Sequence, residues 1–199
     1  MPRGLARDHA EKRDALRRGA AAHFATNGYE RASMASVAAA CGVSKALIYH
    51  YYDSKEALLF DLLHEHLSSL AQVIENAGQT GSPDERLRDT IRAILLEYED
   101  ADDAHKVQLE TLDTLPRDKR DPLLTLMRGM VERLGERLDA ASPGGLGDTR
   151  RAVTMSVFGM LNWYYTWNRP GRGPDQRKNR AAYADLVTDI VLGGIGKPG

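Results

Sequence analysis

Apolar residues recur along this chain at spacings of three and four, which is the repeat of an amphipathic helix. In the first repeat Leu16, Ala20 and Phe24 are separated by polar and small residues. Asn27-Gly28 follows as a helix-ending signal. The alternation typical of a half-buried strand is absent from the sequence, so the pattern predicts an all-α protein.

Further repeats predict about nine helices in all. Two short helices are expected after Ser33 and from Lys45 to about Tyr52, and a leucine stripe from Leu58 to Leu70 predicts a long one. The later helices are predicted from Leu87 to Tyr98, from about Ala104 to Leu115, from about Asp121 to Leu138, from Asp148 to Asn168, and from Tyr183 to Val191.

The predicted helix from Asp148 to Asn168 is apolar on nearly every side. A helix without a polar face is covered on two sides. One side can face the chain's own core, and the other then faces a partner. The last two helices are therefore a candidate dimer interface closed by two-fold symmetry.

Composition narrows the class of protein. The 199 residues are 42% hydrophobic and 28% charged, the balance of a soluble globular protein, and no apolar run is long enough for a membrane span. The first 25 residues lack the apolar stretch of a signal peptide. The single cysteine excludes an intramolecular disulfide and a cysteine-based zinc finger, so the cytoplasm is the expected location.

The net charge of −1 hides an asymmetry between the two ends of the chain. Residues 1–55 carry nine Lys or Arg and five acidic residues, a balance of +4, so the remainder carries −5. A basic head on an acidic body suggests that the head meets an anion such as nucleic acid. Taken alone, the same balance is equally typical of a solvated surface.

The most informative segment runs from Gly28 to Glu56, where two short helices flank a glycine. Gly42 allows the tight turn of a helix-turn-helix. In the second helix Ile48 and Tyr52 are four residues apart, so both are expected to pack inward. The opposite face is compact and partly cationic, as a recognition helix requires to reach base edges in the major groove.

This segment contains a dense set of short runs: Gly28-Tyr29, Ser33-Met34, Val37-Ala38, Gly42-Val43-Ser44-Lys45, Ile48-Tyr49-His50-Tyr51 and Ser54-Lys55-Glu56-Ala57-Leu58. Together they resemble the DNA-binding signature of the tetracycline-repressor (TetR) family of bacterial regulators. The likeness covers about the first 60 residues.

The resemblance implies a two-domain chain, with a helix-turn-helix domain over residues 8–68 and a ligand-binding and dimerisation domain over residues 69–199. It also implies a homodimeric transcriptional repressor that binds double-stranded operator DNA and is released by a small effector. No catalytic residue, metal, cofactor or membrane is expected to take part.

Eight residues are predicted to contact DNA. Ser33 and Ser44 stand at helix starts, where a hydroxyl and free backbone N–H groups suit phosphate, and Lys55 begins the next helix and would clamp the DNA backbone. Leu47 would touch a thymine methyl, since its side chain cannot donate a hydrogen bond. The predicted recognition-helix contacts are Lys45, Ala46, Leu47, Tyr49 and His50.

An effector pocket is predicted between two helices of the second domain. Asn162 would orient the ligand, since pockets are mostly apolar with a few polar groups, and Arg128 would meet a carboxylate, thioester or phosphate. The predicted walls are Met127, Met130, Val131, Phe158 and Tyr165. Core packing remains the alternative for each wall residue, and plain solvent exposure for Arg128.

The effector class comes from resemblance. Four later runs are similar to acyl-CoA-responsive repressors, including phenylacetyl-CoA-responsive ones: Leu112–Pro116, Arg120-Asp121, Gly159–Trp163 and Trp167–Gly171. They imply an aromatic or fatty acyl-CoA, whose CoA tail would lie near Arg169 and Arg172.

Two other functions stay open at this point. An all-helical enzyme or carrier that handles acyl-CoA, with a degenerate helix-turn-helix, would reveal itself by turnover. A structural nucleoid-type binder without an effector would bind DNA in a salt-sensitive manner but without sequence preference.

Three further polar features are assigned structural roles. His64 and His66 are two residues apart on a helix, so they point apart and cannot share a metal ion. His105, beside the acidic stretch, is expected to be exposed. Cys41 is expected in the small core between the two short helices.

Overall fold

The computed structural model describes residues 3–168 and 175–195, and all regular structure in these residues is helical. The all-α prediction is confirmed. The helices are α1 (Arg3–Asn27), α2 (Met34–Ala40), α3 (Lys45–Tyr51), α4 (Lys55–Asn76), α5 (Pro83–Glu97), α6 (Asp102–Thr111), α7 (Arg117–Ala141), α8 (Arg150–Asn162), α9 (Tyr164–Trp167) and α10 (Asp175–Ile195). Short 3-10 turns lie at Tyr98–Asp100, Leu112–Thr114 and Gly147–Thr149.

Several helix boundaries differ from the sequence prediction, and α10 begins at Asp175, well before the predicted Tyr183. The helix predicted from Asp148 to Asn168 is interrupted at Trp163, which separates α8 from the single turn of α9. Helix α7 begins at Arg117 and not near Asp121, because the Pro116 carbonyl already accepts the Arg120 N–H at 2.9 Å. Pro122 therefore lies in the second turn of α7, where it lacks only one backbone donor.

The chain divides into two compact units. Unit 1 comprises the described residues up to Leu67 together with Ala101–Leu123, and unit 2 comprises Ser68–Asp100 together with the described residues from Leu124 onward. Helix α6 therefore belongs to the same compact unit as the helix-turn-helix. The functional boundary between residues 68 and 69 stays a prediction.

Unit 1 is built around the apolar faces of α1 and α4. Phe24 of α1 and Leu59 and Leu63 of α4 are fully buried, as the helical repeats predict. Helix α6 packs on α1, where the Lys106 ammonium donates to the Ala25 carbonyl at 2.6 Å. The buried faces of α1, α4 and α6 thus contribute to one core.

His105 corrects one expectation, because it is buried and not exposed, with 1% of its surface accessible. Its ring lies edge-on to that of His66 on α4, with 5.8 Å between centroids. The acidic residues before His105 suggested a solvated turn, but Asp102 and Asp103 occupy the first turn of α6 and His105 begins its inner face. His64 is exposed and His66 is buried, so the two do point apart on α4.

Unit 2 centres on the packing of α10 against α5. The buried residues of α5 include Leu87, Ile91 and Leu95, and Val187 of α10 is buried as well. Helix α5 starts from a capping box in which the Ser82 side chain accepts the Glu85 N–H and the Glu85 side chain accepts the Ser82 N–H. In the described ranges, no helix combines the length and apolarity needed to cross a bilayer.

The buried His66 predicts a pH dependence of stability. Burial lowers its pKa from 6.5 to about 4, against the opposing effect of its hydrogen bond to Gln108. Because the folded-state pKa is the lower one, the neutral ring is favoured in the fold. The resulting stabilisation is complete above pH 6.5 and is lost as the pH falls from 6.5 towards 4. A shift of this size corresponds to about 3 kcal/mol of unfolding free energy.

Urea denaturation between pH 7.5 and 4 measures this dependence. We expect His66→Asn to flatten the pH profile of the unfolding free energy, because the amide does not titrate. His64→Asn, on the exposed side of the same helix, should leave the profile as in the parent chain. Equal profiles for the two variants would contradict the assignment.

Candidate nucleic-acid interface

Helices α2 and α3 are joined by a four-residue turn at residues 41–44 that depends on glycine. Gly42 has φ of +67°, the left-handed region that glycine adopts without steric cost. The next N–H, that of Val43, donates to the Ala38 carbonyl at 3.0 Å and closes the turn. The two helices and the tight turn between them confirm the helix-turn-helix that the sequence predicts.

Both short helices begin at the serines that the sequence singled out. The Ser33 side chain accepts the Ser36 N–H at 3.1 Å, and the Ser36 side chain accepts the Ser33 N–H at 3.0 Å. The Ser44 side chain accepts the Leu47 N–H at 3.1 Å. Both hydroxyls are exposed and act as helix caps, and their contact with phosphate stays a prediction.

Helix α3 has one buried and one exposed face. Ile48 is fully buried and Tyr52, which caps the helix, is 4% exposed. Leu47 is half-buried at the edge of the outer face. The exposed residues are Lys45, Ala46, Tyr49 and His50. The spacing of Ile48 and Tyr52 thus predicts correctly which side chains lie outward.

The outer face offers a cation next to an aromatic ring. The Lys45 ammonium lies 5.8 Å from the centroid of the Tyr49 ring, within the range of a cation–π contact. A hydroxyl, an imidazole and an ammonium on one short helix can donate to base edges or phosphates.

Lys55 is directed at its own chain. Its ammonium donates to the carbonyls of Tyr29 at 2.9 Å and Ala32 at 3.0 Å, and lies 4.2 Å from the Tyr29 ring centroid. These contacts fasten the loop between α1 and α2 to the start of α4. The structure thereby gives Lys55 a structural role that sequence reasoning missed, and its phosphate contact stays a prediction.

Cys41, at the end of α2, packs closely against α1. A Cβ placed on Gly19 would lie 2.5 Å from the Cys41 sulfur, so only glycine lets the two helices approach this closely. Burial raises the pKa of the Cys41 thiol, which favours the unreactive protonated form. The side chain is half-buried against α1, whereas the sequence placed it in the small core between the two short helices.

Two contacts of α3 were not expected from the sequence. The ring of Tyr51 stacks on that of His9 of α1, with centroids 4.6 Å apart. The Tyr52 hydroxyl donates to the Asp61 carboxylate of α4 at 2.7 Å. The one signal for the second contact is an acidic residue inside the leucine stripe of α4.

In unit 2 the predicted pocket residues occupy different environments. Asn162 accepts a hydrogen bond at 3.0 Å from the buried Tyr98 hydroxyl, but Asn162 itself is half-buried and not the buried polar group that the sequence suggested. Met130 and Phe158 are buried and Arg128 is exposed, while the half-buried members are Met127, Val131 and Tyr165. Arg169 and Arg172, predicted near the CoA tail, lie outside the described residues.

A cavity of about 550 Å³ in unit 2 lies between α4 and α7 and includes Met130 from the predicted wall. Its apolar lining also contains Ile74 and Leu126. Its rim is charged, where the Arg133 guanidinium pairs with Glu75 at 2.8 Å and with Glu136 at 2.8 Å. Residues of the α4 segment were not part of the predicted pocket, because sequence spacing does not tell which helix faces α7.

Unit 2 also carries exposed apolar side chains on α8, α9 and α10. Trp163, between α8 and α9, is 64% exposed and Ile190 of α10 is 56% exposed. The others are Met155, Trp167 and Leu186. Met155 and Trp163 are eight residues apart, and Leu186 and Ile190 are four apart, so each pair lies along one side of its segment.

Two family comparisons match most of the chain. Residues 16–62 match the family described as "Bacterial regulatory proteins, tetR family". Residues 80–195 match "Tetracyclin repressor-like, C-terminal domain".

Individual proteins are similar over different lengths. The chain is 32% identical over 82 residues to the HTH-type transcriptional repressor AcnR of Corynebacterium jeikeium, a match that spans 41% of this chain and 43% of that repressor. A TetR-family transcriptional regulator from Bordetella parapertussis is 33% identical, with a TM-score of 0.80 over 90% of this chain and 93% of the other. AibR, solved in complex with isovaleryl coenzyme A and operator DNA, is 27% identical, with a TM-score of 0.73 over 94% and 99% of the two chains.

The outer face of α3 generates a prediction about DNA binding. Lys45→Ala and Tyr49→Ala should each weaken binding to a cognate duplex, selected from random sequences, by about 1–3 kcal/mol. Loss of the Lys45 charge should also reduce the salt dependence of binding by about one phosphate contact. Mobility shift at several salt concentrations measures both effects.

The control for this prediction is Lys178→Ala, which removes an exposed lysine from α10. It should leave DNA affinity within twofold of the parent chain, and circular dichroism should show native helicity for all three variants. Unchanged affinity for both α3 variants would overturn the assignment of α3 as the recognition helix.

Proposed function

This chain belongs to the TetR family and is a DNA-binding transcriptional regulator. We propose that it acts as a homodimeric repressor and that a small effector releases it from its operator. The observation that carries the proposal is the outer face of α3, which presents Lys45, Tyr49 and His50 to solvent. Such a protein works on chromosomal DNA, so we place it in the bacterial cytoplasm.

The proposed division of labour on DNA follows from the chemistry of the exposed groups. Affinity comes mostly from neutralised phosphates, and sequence preference from base edges read by α3. Ser33, Ser44 and Lys55 are assigned to phosphates. Base reading is assigned to the outer residues of α3: Lys45, Ala46, Leu47, Tyr49 and His50.

The proposed dimer uses the exposed apolar side chains of α8, α9 and α10. Large exposed apolar side chains clustered on neighbouring elements mark an interaction site. In a two-fold dimer the same patch meets its own copy, so one apolar surface covers the other. Two copies of α3 then read two half-sites, which predicts an operator with two-fold symmetry.

The proposed effector site lies in unit 2, in keeping with a ligand-binding domain over residues 69–199. The cavity between α4 and α7 has the volume of a small-molecule site and an apolar lining around Met130. The hydrogen-bonded pair of the buried Tyr98 and the half-buried Asn162 supplies polar atoms that a ligand can engage. The remaining residues assigned to the pocket are Met127, Arg128, Val131, Phe158 and Tyr165.

An acyl-CoA is proposed as the effector, with an aromatic or medium-length acyl group. The similarity to AibR, which was solved with isovaleryl coenzyme A, supports this class. A free acid would add a carboxylate to an apolar lining, which is unfavourable without a partner, and it would lack the phosphates of coenzyme A.

Release from DNA requires that the effector binds the DNA-free state more tightly than the DNA-bound state. A ligand with equal affinity for both states shifts nothing, however tightly it binds. The effector is therefore proposed to favour a dimer whose two recognition helices do not match successive major grooves.

The dimer proposal predicts that charge in the apolar patch separates the subunits. Leu186→Glu together with Ile190→Glu should give a monomer at micromolar concentration in light scattering, because two carboxylates would otherwise be desolvated in the interface. Operator affinity should fall when the dimer separates, since each monomer carries only one recognition helix.

Leu109→Glu is the matched control for the dimer variant. Leu109 is similarly exposed, at 47%, but lies on α6 of unit 1. This variant should stay dimeric. A parent chain that is monomeric at micromolar concentration would refute the proposed assembly.

The effector proposal predicts that acyl-CoA dissociates the operator complex and the free acid does not. Phenylacetyl-CoA, a medium-chain acyl-CoA, both free acids and CoA alone should be titrated against the complex in fluorescence anisotropy. The same acyl-CoA should raise the melting temperature of the free protein, since a ligand at 100 times its Kd stabilises by about 2.7 kcal/mol.

Two variants test whether the response depends on the proposed pocket: Asn162→Leu changes a pocket residue, and Arg151→Ala is the control. The first removes the acceptor of the Tyr98 hydroxyl and should weaken the response at least tenfold. The second removes an exposed cation of α8 that is outside the proposed pocket. If the free acid releases DNA as well as the thioester does, the acyl-CoA proposal is wrong.

A further inference from the structure

One carboxylate joins the end of α3 to both long helices of unit 1. Asp61 of α4 accepts the Tyr52 hydroxyl on Oδ2 at 2.7 Å. The Arg13 guanidinium of α1 donates to Asp61 Oδ2 through Nε at 3.0 Å and to Oδ1 through a terminal nitrogen at 2.5 Å. Both carboxylate oxygens of Asp61 therefore accept hydrogen bonds. Oδ1 accepts from Arg13, and Oδ2 accepts from both Arg13 and Tyr52.

The phenol belongs to the residue that ends the recognition helix. Tyr52 is the C-cap of α3, and its N–H donates to the Ile48 carbonyl at 3.0 Å, so its backbone is continuous with the last turn. Its side chain is buried. Burial, and after it the Asp61 carboxylate, raise the pKa of the Tyr52 phenol, so the hydroxyl keeps its proton and remains a donor.

Asp61 itself stands in an unusual position for an acidic residue. Its side chain is only 15% exposed, and the neighbouring leucines of its helix, Leu58 and Leu62, are buried. A carboxylate in such surroundings is tolerated because it is paired and hydrogen-bonded. The Arg13 side chain is 46% exposed, so the pair lies at the edge of the core, where directed hydrogen bonds fix geometry more than they add stability.

We infer that Asp61 is a positioning residue for DNA recognition, which holds the C-terminal end of α3 at one angle to α1 and α4 through Tyr52 and Arg13. The inference rests on the proposed reading of bases by α3. Its physical basis is the length of α3: a seven-residue helix is not stable alone, so its orientation depends on its tertiary contacts, which include the one at Tyr52.

The neighbouring Glu65 provides a matched comparison one turn further along α4. Its carboxylate accepts from the Arg17 guanidinium of α1 at 3.1 Å, and its side chain is 58% exposed. The pair joins the same two helices as Asp61 and Arg13 do, and within the described part of the chain it does not involve α3. Arg17 also approaches Asp61, at 3.5 Å.

The test compares Asp61→Asn, Tyr52→Phe and Glu65→Gln in the full chain. The two acid-to-amide changes alter net charge equally, so the change in net charge alone does not distinguish the two variants. We expect Asp61→Asn to weaken binding to the cognate duplex at least tenfold and Tyr52→Phe at least threefold. Glu65→Gln should stay within twofold, and all three should bind a random duplex within twofold of the parent chain.

Two further measurements separate positioning from simple loss of stability. In the DNA-free protein, amide hydrogen exchange of residues 48–52 should quicken in Asp61→Asn and Tyr52→Phe while that of residues 58–63 stays slow. The double variant Asp61→Asn with Tyr52→Phe should bind no more weakly than Asp61→Asn alone, because both changes act on the one cluster of Asp61, Tyr52 and Arg13.

Equal effects of Asp61→Asn and Glu65→Gln on cognate binding would overturn the inference. So would unchanged exchange of residues 48–52 in the Tyr52→Phe variant, which alters neither charge nor ring size. A parent chain that does not distinguish the cognate from the random duplex would refute the proposed function instead. The exchange measurement would then still decide whether Asp61 holds α3.

Discussion

The recognition helix depends on tertiary contacts, because seven residues cannot form a stable helix in water. Ile48 and Tyr52 supply these contacts by burial against the rest of unit 1, and Ser44 caps the first turn. Since both anchors lie on one side of α3, the other side is held outward. The same burial that makes α3 a helix therefore determines which residues can meet DNA.

Charged groups in unit 1 serve geometry more than stability. The Lys55 ammonium donates to the carbonyls of Tyr29 and Ala32, and the Asp61 carboxylate accepts hydrogen bonds from Arg13 and Tyr52. Exposed ion pairs contribute little free energy, but a directed hydrogen bond to a half-buried carboxylate restricts angles. These contacts hold the helix-turn-helix against α1 and α4, so the DNA-facing side of this short motif keeps a fixed orientation.

Unit 2 combines a tightly packed interior with an apolar exterior. Helices α5 and α10 share the core, whereas Trp163 and Ile190 stay exposed in the single chain. In such an interior a few polar groups, such as the Tyr98 and Asn162 pair, can determine which ligand binds while the apolar packing stays the same. The proposed effector cavity lies between α4 and α7, whereas the proposed dimer surface is on α8, α9 and α10.

Local spacing in the sequence was sufficient for the helices, the turn at Gly42, the two serine caps and the inward side of α3, because neighbours three and four apart decide these features. It also carried the family resemblance, which lies in contiguous runs. Tertiary structure decided the burial of His105, the partners of Lys55 and of Asp61, and the helix that faces Met130. Spacing tells on which face of a helix a side chain lies, but the residue that covers that face comes from a distant part of the chain, and only packing brings the two together.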